Sequence, residues 1–407
     1  MTADTRELEH LLGAAAVREA ATEMLERGFA GRLQCFNVDL ARLDDAVART
    51  IAVTRAAYPS FDVPFHARWR HFVVDGNDRW ESLAAKTPWT SGAARSRAAF
   101  DLAFVSVLLD AGAGPQWSYR DKVSGERIAR SEGLAVASLD MFAAGAFSAQ
   151  PTHRLRADAA ALAGLDAAAL RRGFQADDNN PLIGLDRRAD LLRRLGVAVA
   201  ENPEVFARAD AARPGGLFDH LVALSDNGRL AAPVILGELL RHLGAIWPSG
   251  LTIDGVALGD CWRYRADGAE RLVPLHKLSQ WLAYSLIEPL QDAGVAVVDI
   301  DGLTGLAEYR NGGLFVDTGV LTLRDPADAA REHEVSSALV IEWRAMTVAL
   351  LDRVAAKMRD ELGLNARSLP LARILQGGTW AAGRAIAREK RADGSPPLRV
   401  KTDGSVF

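Results

Sequence analysis

The chain has 407 residues, 49% of them hydrophobic and 25% charged. A chain of this make-up can bury roughly three quarters of its unfolded surface with no disulfide or metal staple, and about 150 residues per domain allows two or three domains. The net charge of -4 argues against a broad surface for polyanions, which disfavours nucleic acid as a partner. Cys35 and Cys261 stand alone, without a C-x-x-C pair or a Cys/His cluster. Met1-Thr2-Ala3-Asp4 carries no basic, apolar leader, and no apolar run reaches the about 18 residues that a membrane span needs. The expectation is a soluble cytoplasmic protein that crosses no membrane.

Ala, Leu and Arg at helical spacing dominate the chain. Leu8, Leu11, Leu12, Ala15 and Leu25 predict a first helix over 4–29, and Asp39 is a natural N-cap for a second that carries Leu40, Leu43, Val47 and Ile51 to near Pro59. Further helices are expected over 94–111, 133–145, 185–200, 229–243, 274–291 and 327–362. The last would be entered by Asp325-Pro326 and closed by Gly363. The β-branched run 294–300 and the segment 314–323 are the strand candidates. The balance predicts a mainly α fold, one large helical body over 1–407 with a small β insert. Its softest point is the Pro/Gly punctuation at 201–216.

Several chemistries fail on spacing. The Gly-x-Gly of Gly112 and Gly114 follows a helical run and meets Trp117 where a dinucleotide fingerprint needs its third glycine. No Walker A sequence or Gly-x-Ser-x-Gly elbow occurs. His333-Glu334 opens a zincin-like pattern, but Ser337 stands where the second histidine belongs. His66 and His71, five apart, share neither a helix face nor a strand face.

Three segments concentrate polar and aromatic groups. In the first, His66, Arg68, Trp69, Arg70 and His71 alternate guanidiniums with an indole, suited to clamping an anion or to pinning a loop through carboxylates. In the second, glycines beside Asp110 and Trp117 would turn the backbone toward a cleft or simply cap a helix, and Glu132 starts the next helix as a dipole partner or a catalytic acid. The third is 254–317. There Pro274 would open a helix whose Leu275, Leu278, Leu282 and Leu286 form a core stripe. Lys277, Gln280, Trp281, Tyr284 and Glu288 line its other side, as a pocket wall or a packing face. Carboxylates crowd around it: Asp254, Asp260 just before Trp262, Asp299 and Asp301, Glu308 with Tyr309 and Arg310, and Asp317. Several of these also suit turns.

The blocks 66–72, 106–114, Ser131-Glu132-Gly133-Leu134, Asn180-Pro181-Leu182-Ile183-Gly184-Leu185, Gly378-Thr379-Trp380 and Asp403-Gly404-Ser405-Val406-Phe407 resemble the uracil catabolism protein four family, over essentially the whole chain. Ala67 and Thr402 stand where the resemblance leads one to expect serine. The segment His276-Lys277-Leu278-Ser279-Gln280-Trp281-Leu282 with Tyr284-Ser285 is similar to the aromatic-Lys-x-x-Gln stretch of queuosine salvage nucleosidases, helical proteins related in shape to DNA glycosylases.

The first resemblance implies a place in a uracil degradation route that opens the pyrimidine ring of a ribonucleotide and finally releases urea. The step left over is cleavage between C1' of the sugar and a urea nitrogen, in ribosylurea or its 5'-phosphate. Such a cleavage builds positive charge on the sugar and calls for a carboxylate, with Asp260, Asp301 and Asp317 as candidates. A proton donor must meet the leaving urea, and His276, Glu308 and Tyr309 are placed for that role. Arg68, Arg70, Lys277 and Arg310 would hold a phosphate, and Trp69, Trp262 and Trp281 would cover the flat urea. The chemistry requires no cofactor, and no metal-ligand set is assigned. The alternatives are an amide hydrolase or lyase acting on the ring-opened product, and a non-catalytic pathway scaffold.

Overall fold

A computed structural model of the protein describes residues 3–110, 112–209, 211–247 and 251–401. Ala111, Thr402 and the closing block 403–407 therefore lie outside the described residues. The chain is mainly α, and the strands among the described residues occur as two-stranded pairs. It divides into two compact units. The first takes the described chain up to 66, 251–280 and 299–401; the second takes 67–247 and 281–298. The division falls after Gln280, inside the helix Lys277–Asp292.

In the first unit, helix Ala14–Phe29 packs along helix Ala338–Leu362 through a stripe of Ala14, Val17, Ala21, Met24 and Leu25. The expected single helix over 4–29 is two, because Gly13 in extended backbone ends Ala3–Leu11 and starts the next. The long C-terminal helix begins at Ala338, where the Ser337 hydroxyl accepts from the Val340 N–H at 3.3 Å. Asp325 and Pro326 instead open the short turn Pro326–Ala330, and His333 lies in the two-residue strand Glu332–His333. Gly363, at φ +64, closes the helix as expected. Of the segment 314–323, the part through Asp317 is helical (Tyr309–Asp317), and Leu321–Leu323 pairs antiparallel with Phe36–Val38.

Pro274 does not open a helix; it ends a hairpin, Cys261–Ala266 against Ala269–Pro274. Asp267 and Gly268 make the two-residue connection, both at positive φ, the geometry that matches strand twist. The same device recurs at Asp254-Gly255 in this unit and at Asp75-Gly76 in the other. Asp254 is thereby a turn former. Asp299 also has positive φ, at +52, and the backbone turns there instead of extending the strand to Asp301.

The second unit is built around helix Gly92–Leu108, buried almost all round from Ala98 onward. Arg130–Ala143 and Gly216–Leu224 pack on it, with Phe100 edge-on to Phe218 at 5.6 Å. Gly196 lets helix Leu185–Glu201 touch the backbone of Ala159–Ala163. Strand Ala296–Val298, shorter than the expected 294–300, pairs parallel with Arg229–Ala231. The punctuated stretch 201–216 lies inside this unit. No helix among the described residues is long and apolar enough to cross a membrane.

Candidate active site

In the first unit the hairpin places Asp260. Cys261 faces Pro274 at the open end, so the next residues run side by side: the Asp260 carbonyl accepts from the N–H groups of Leu275 at 2.9 Å and His276 at 3.2 Å. His276, at φ +45, then turns the chain so that the Lys277 N–H donates to Asp260 Oδ2 at 3.0 Å. Arg344, from the middle of helix Ala338–Leu362, closes a fork on the same carboxylate at 2.9 and 2.7 Å. The Trp262 indole N–H adds a bond at 2.6 Å. Burial works to raise the Asp260 pKa, but Arg344, Trp262 and the Lys277 amide together hold it below the ordinary carboxylate value.

Glu308 has the opposite bias. It is the N-cap of helix Tyr309–Asp317, accepting from the Arg310 N–H at 2.8 Å and the Asn311 N–H at 2.6 Å. Burial dominates, and its pKa is raised although those amides and the charges of Lys277 and Arg310 pull it down. Lys277 thus acts on both carboxyls, through its amide on Asp260 and its charge on Glu308. Arg344 also reaches the carbonyl of Ala307, next to Glu308, at 3.4 Å. Two glycines allow this packing. A β-carbon at Gly383 would collide with the Arg310 carbonyl, and one at Gly312 would stand 2.7 Å from the Trp343 indole nitrogen.

His276 is fully buried, and burial lowers its pKa. Its Nε2 bonds the Leu11 carbonyl at 2.7 Å, which makes Nε2 the N–H and leaves Nδ1 a buried lone pair with no hydrogen-bond partner among the described residues. Gln280 is locked on Thr304, whose amide donates to Oε1 at 2.8 Å. Arg310 donates to the Gly394 carbonyl at 2.8 Å and lies 4.8 Å from the centre of the Tyr309 ring. His66 Nδ1 bonds Gln376 at 2.9 Å. The other two predicted carboxylates sit in separate ion pairs. Asp301 takes Arg359 at 2.5 Å and the Leu371 N–H at 2.7 Å, and Asp317 takes a fork from Arg391 at 2.8 and 2.5 Å. Asp260, Trp262, His276, Lys277, Glu308 and Arg310 are therefore the predicted residues that share one neighbourhood in this unit.

In the second unit the turn Arg68–Phe72 delivers a second cluster. Arg68 is wholly buried, donating to Ser106 and Asp110 at 2.7 Å each, with its guanidinium 5.5 Å from the centre of the Trp281 ring. Ser131 donates to Asp110 at 2.5 Å, and Glu132 contributes its charge to Arg68. His71 stands edge-on to Trp281 at 5.8 Å. Trp69 donates to the Ser285 carbonyl at 2.7 Å, and Tyr284 is fully buried. Trp117 is enclosed, its N–H spent on the Phe174 carbonyl at 3.0 Å. Trp69 and Arg70, with Trp80, Glu81, Arg95 and Glu288, line an open cavity of about 340 Å³. Arg70 bridges to Glu288 at 2.9 Å across it. Burial raises the Glu288 pKa, with Asp292 and Asp78 adding to the rise and Arg70 opposing it.

Sequence reasoning missed Arg344, one guanidinium among many in an amphipathic helix. It also missed a group of three metal-ligating side chains, His220, Glu238 and His242, whose ligand atoms lie within 4.8 Å of one another. The four-residue spacing of Glu238 and His242 on one helix was the available signal.

Against known proteins, residues 10–407 match the family described as "Protein of unknown function (DUF1688)". The chain is 38% identical to Protein urg3 of Schizosaccharomyces pombe over 413 residues, covering 99% of this chain and 100% of that one. It is 36% identical to Uracil catabolism protein 4 of Lachancea kluyveri over 410 residues, covering 91% and 92%. A match of this extent makes the chain a member of the DUF1688 family and a relative of uracil catabolism protein 4.

Proposed function

We propose that the chain is an enzyme of uracil catabolism that hydrolyses the N-ribosidic bond of a ring-opened uracil ribonucleotide, ribosylurea or its 5'-phosphate, and releases urea. The observation that carries this reading is the pair of buried carboxyls around Lys277, Asp260 held ionised and Glu308 pushed toward its protonated form. Two carboxyls biased apart are what an acid-assisted glycoside cleavage requires. Glu308 donates its proton to the departing urea nitrogen as the bond to C1' breaks. The ionised Asp260 stabilises the positive charge that grows on C1' and the ring oxygen. Water then supplies a hydroxyl to C1', and its remaining proton restores Glu308. Asp260 already accepts four N–H bonds, from Arg344 twice, Trp262 and Lys277, so its role is electrostatic and not nucleophilic. Uracil catabolism, the process that gives the Lachancea kluyveri relative its name, supplies the substrate class.

The test is incubation of the full chain with ribosylurea and with ribosylurea 5'-phosphate, with urea and the free pentose quantified by NMR. Equal amounts of the two products are expected from one of these substrates. Ammonia and ribosylamine with no urea would point to cleavage on the acyl side, and an unchanged rate in Glu308→Gln would remove the carboxyl from the chemistry.

A further inference from the structure

Away from the carboxyl pair, the second unit carries a group of side chains that neither the sequence reading nor the proposed reaction uses. Helix Gly216–Leu224 presents His220, and helix Ala232–Leu243 presents Glu238 and His242 one turn apart. Glu238 Oε2 lies 2.6 Å from His220 Nε2 and 3.3 Å from His242 Nε2, and the two imidazoles stand edge to face at 5.8 Å. The three side chains are only partly exposed, at 24, 10 and 14% for His220, Glu238 and His242.

Surrounding groups fix how these atoms point. The Asn202 amide nitrogen donates to the carbonyls of Ala198 at 2.8 Å and His242 at 3.4 Å. Its oxygen is thereby turned to His242 Nδ1 at 3.1 Å, and Glu204 stands 3.8 Å from the same nitrogen. With Nδ1 engaged there, Nε2 is the ring nitrogen that faces Glu238 Oε2. Arg241 occupies the other oxygen of Glu238, leaving Oε2 as the inward ligand. Histidines oriented through the far nitrogen, and a carboxylate bonded through its other oxygen, are the supports that metal ligands use.

We propose that His220 Nε2, Glu238 Oε2 and His242 Nε2 form a site for one divalent transition metal of the zinc class. Two imidazoles and one carboxylate suit such an ion, with a fourth, solvent-facing position left to water. In a tetrahedral site with ligand distances of about 2.0–2.2 Å the donor atoms stand about 3.4 Å apart. The two spacings from Glu238 Oε2, 2.6 and 3.3 Å, fall below that value and all three donor atoms lie within 4.8 Å of one another, so binding asks for side-chain adjustment and not for movement of the helices.

The test uses the full chain stripped with chelator and titrated with Zn²⁺ followed by calorimetry, and with Co²⁺ followed by its visible absorption. One equivalent of Zn²⁺ and a Co²⁺ spectrum of low-symmetry nitrogen and oxygen coordination are expected. Glu238→Gln and His220→Ala should each weaken Zn²⁺ binding at least about tenfold, while Asn202→Ala weakens it about 10- to 100-fold by freeing His242. Circular dichroism confirms that each variant is folded, and His220 lies near enough to the surface for His220→Ala to remain so. No stoichiometric uptake, or uptake unchanged in the folded His220→Ala and Glu238→Gln proteins, would overturn the site.

Discussion

Both carboxylate oxygens of Asp260 are held by the two terminal nitrogens of Arg344, at 2.9 and 2.7 Å, and neither side chain reaches solvent to any extent. Removing one partner strands a buried charge, whereas removing both does not. Asp260→Leu and Arg344→Met should each lose about 3–5 kcal/mol of stability. The double variant Asp260→Leu/Arg344→Met should lose clearly less than the sum of the two. Urea unfolding of the four proteins measures this.

Glu308 keeps its proton above the ordinary value of 4.5 because it is buried. As pH rises from that value through the folded pKa, the unfolded chain has already lost the proton that the folded chain retains, so stability falls across this window and then levels. Glu308→Gln keeps an oxygen to cap the helix but cannot titrate. Its stability should be flat over the same window, and its rate of urea release should fall by about 10²–10⁴-fold. Chemical denaturation at a series of pH values and initial rates supply the two readouts.

His276 works in the other direction. Its folded pKa is below the ordinary 6.5, so beneath that pH the unfolded chain takes up a proton that the buried ring refuses. Stability is then full above 6.5 and falls as pH drops toward the folded pKa, by at most about 1.4 kcal/mol per pH unit. His276→Asn suits the positive φ and should remove this fall. Thermal melts from pH 7 downward would show whether the slope is lost.

Arg68 and Arg70, two residues apart, should behave differently. Arg68 is fully buried with Ser106 and Asp110, and Arg68→Ala should cost about 3–5 kcal/mol. Arg70 and Glu288 are each more than a quarter exposed, and Arg70→Ala should cost about 1 kcal/mol or less. Equal losses in denaturant titrations would contradict this difference in burial.

Gly383 has no room for a β-carbon against the Arg310 carbonyl, which anchors the helix that Glu308 caps. Gly383→Ala should cost about 1–3 kcal/mol by forcing helix Trp380–Lys390 away. It should also lower activity beyond the loss of folded protein, measured as the rate per folded molecule.

The long amphipathic helices and their core stripes were legible in the sequence, because an apolar period survives whatever the helix packs against. Leu278, Leu282 and Leu286 are buried as expected, but so are Gln280, Trp281 and Tyr284 on the other side of the same helix, and periodicity cannot say what covers a polar face. The hairpin 261–274 was not legible although Asp267-Gly268 is a strong turn signal, because Pro274, a natural helix opener, instead ends the second strand opposite Cys261. Among the carboxylates, residue type could not separate Asp260 from Asp301 and Asp317. Their difference lies in distant partners: Arg344 with Lys277 and Trp262 for the first, Arg359 and Arg391 for the others.

The proposed reaction is defined by which bond is broken. Turnover of ribosylurea or its 5'-phosphate in ¹⁸O-water, followed by mass spectrometry at early times, answers this directly. Cleavage at C1' predicts label in the pentose hydroxyl and none in the urea. Label in the carbonyl-derived product with an unlabelled pentose would contradict it.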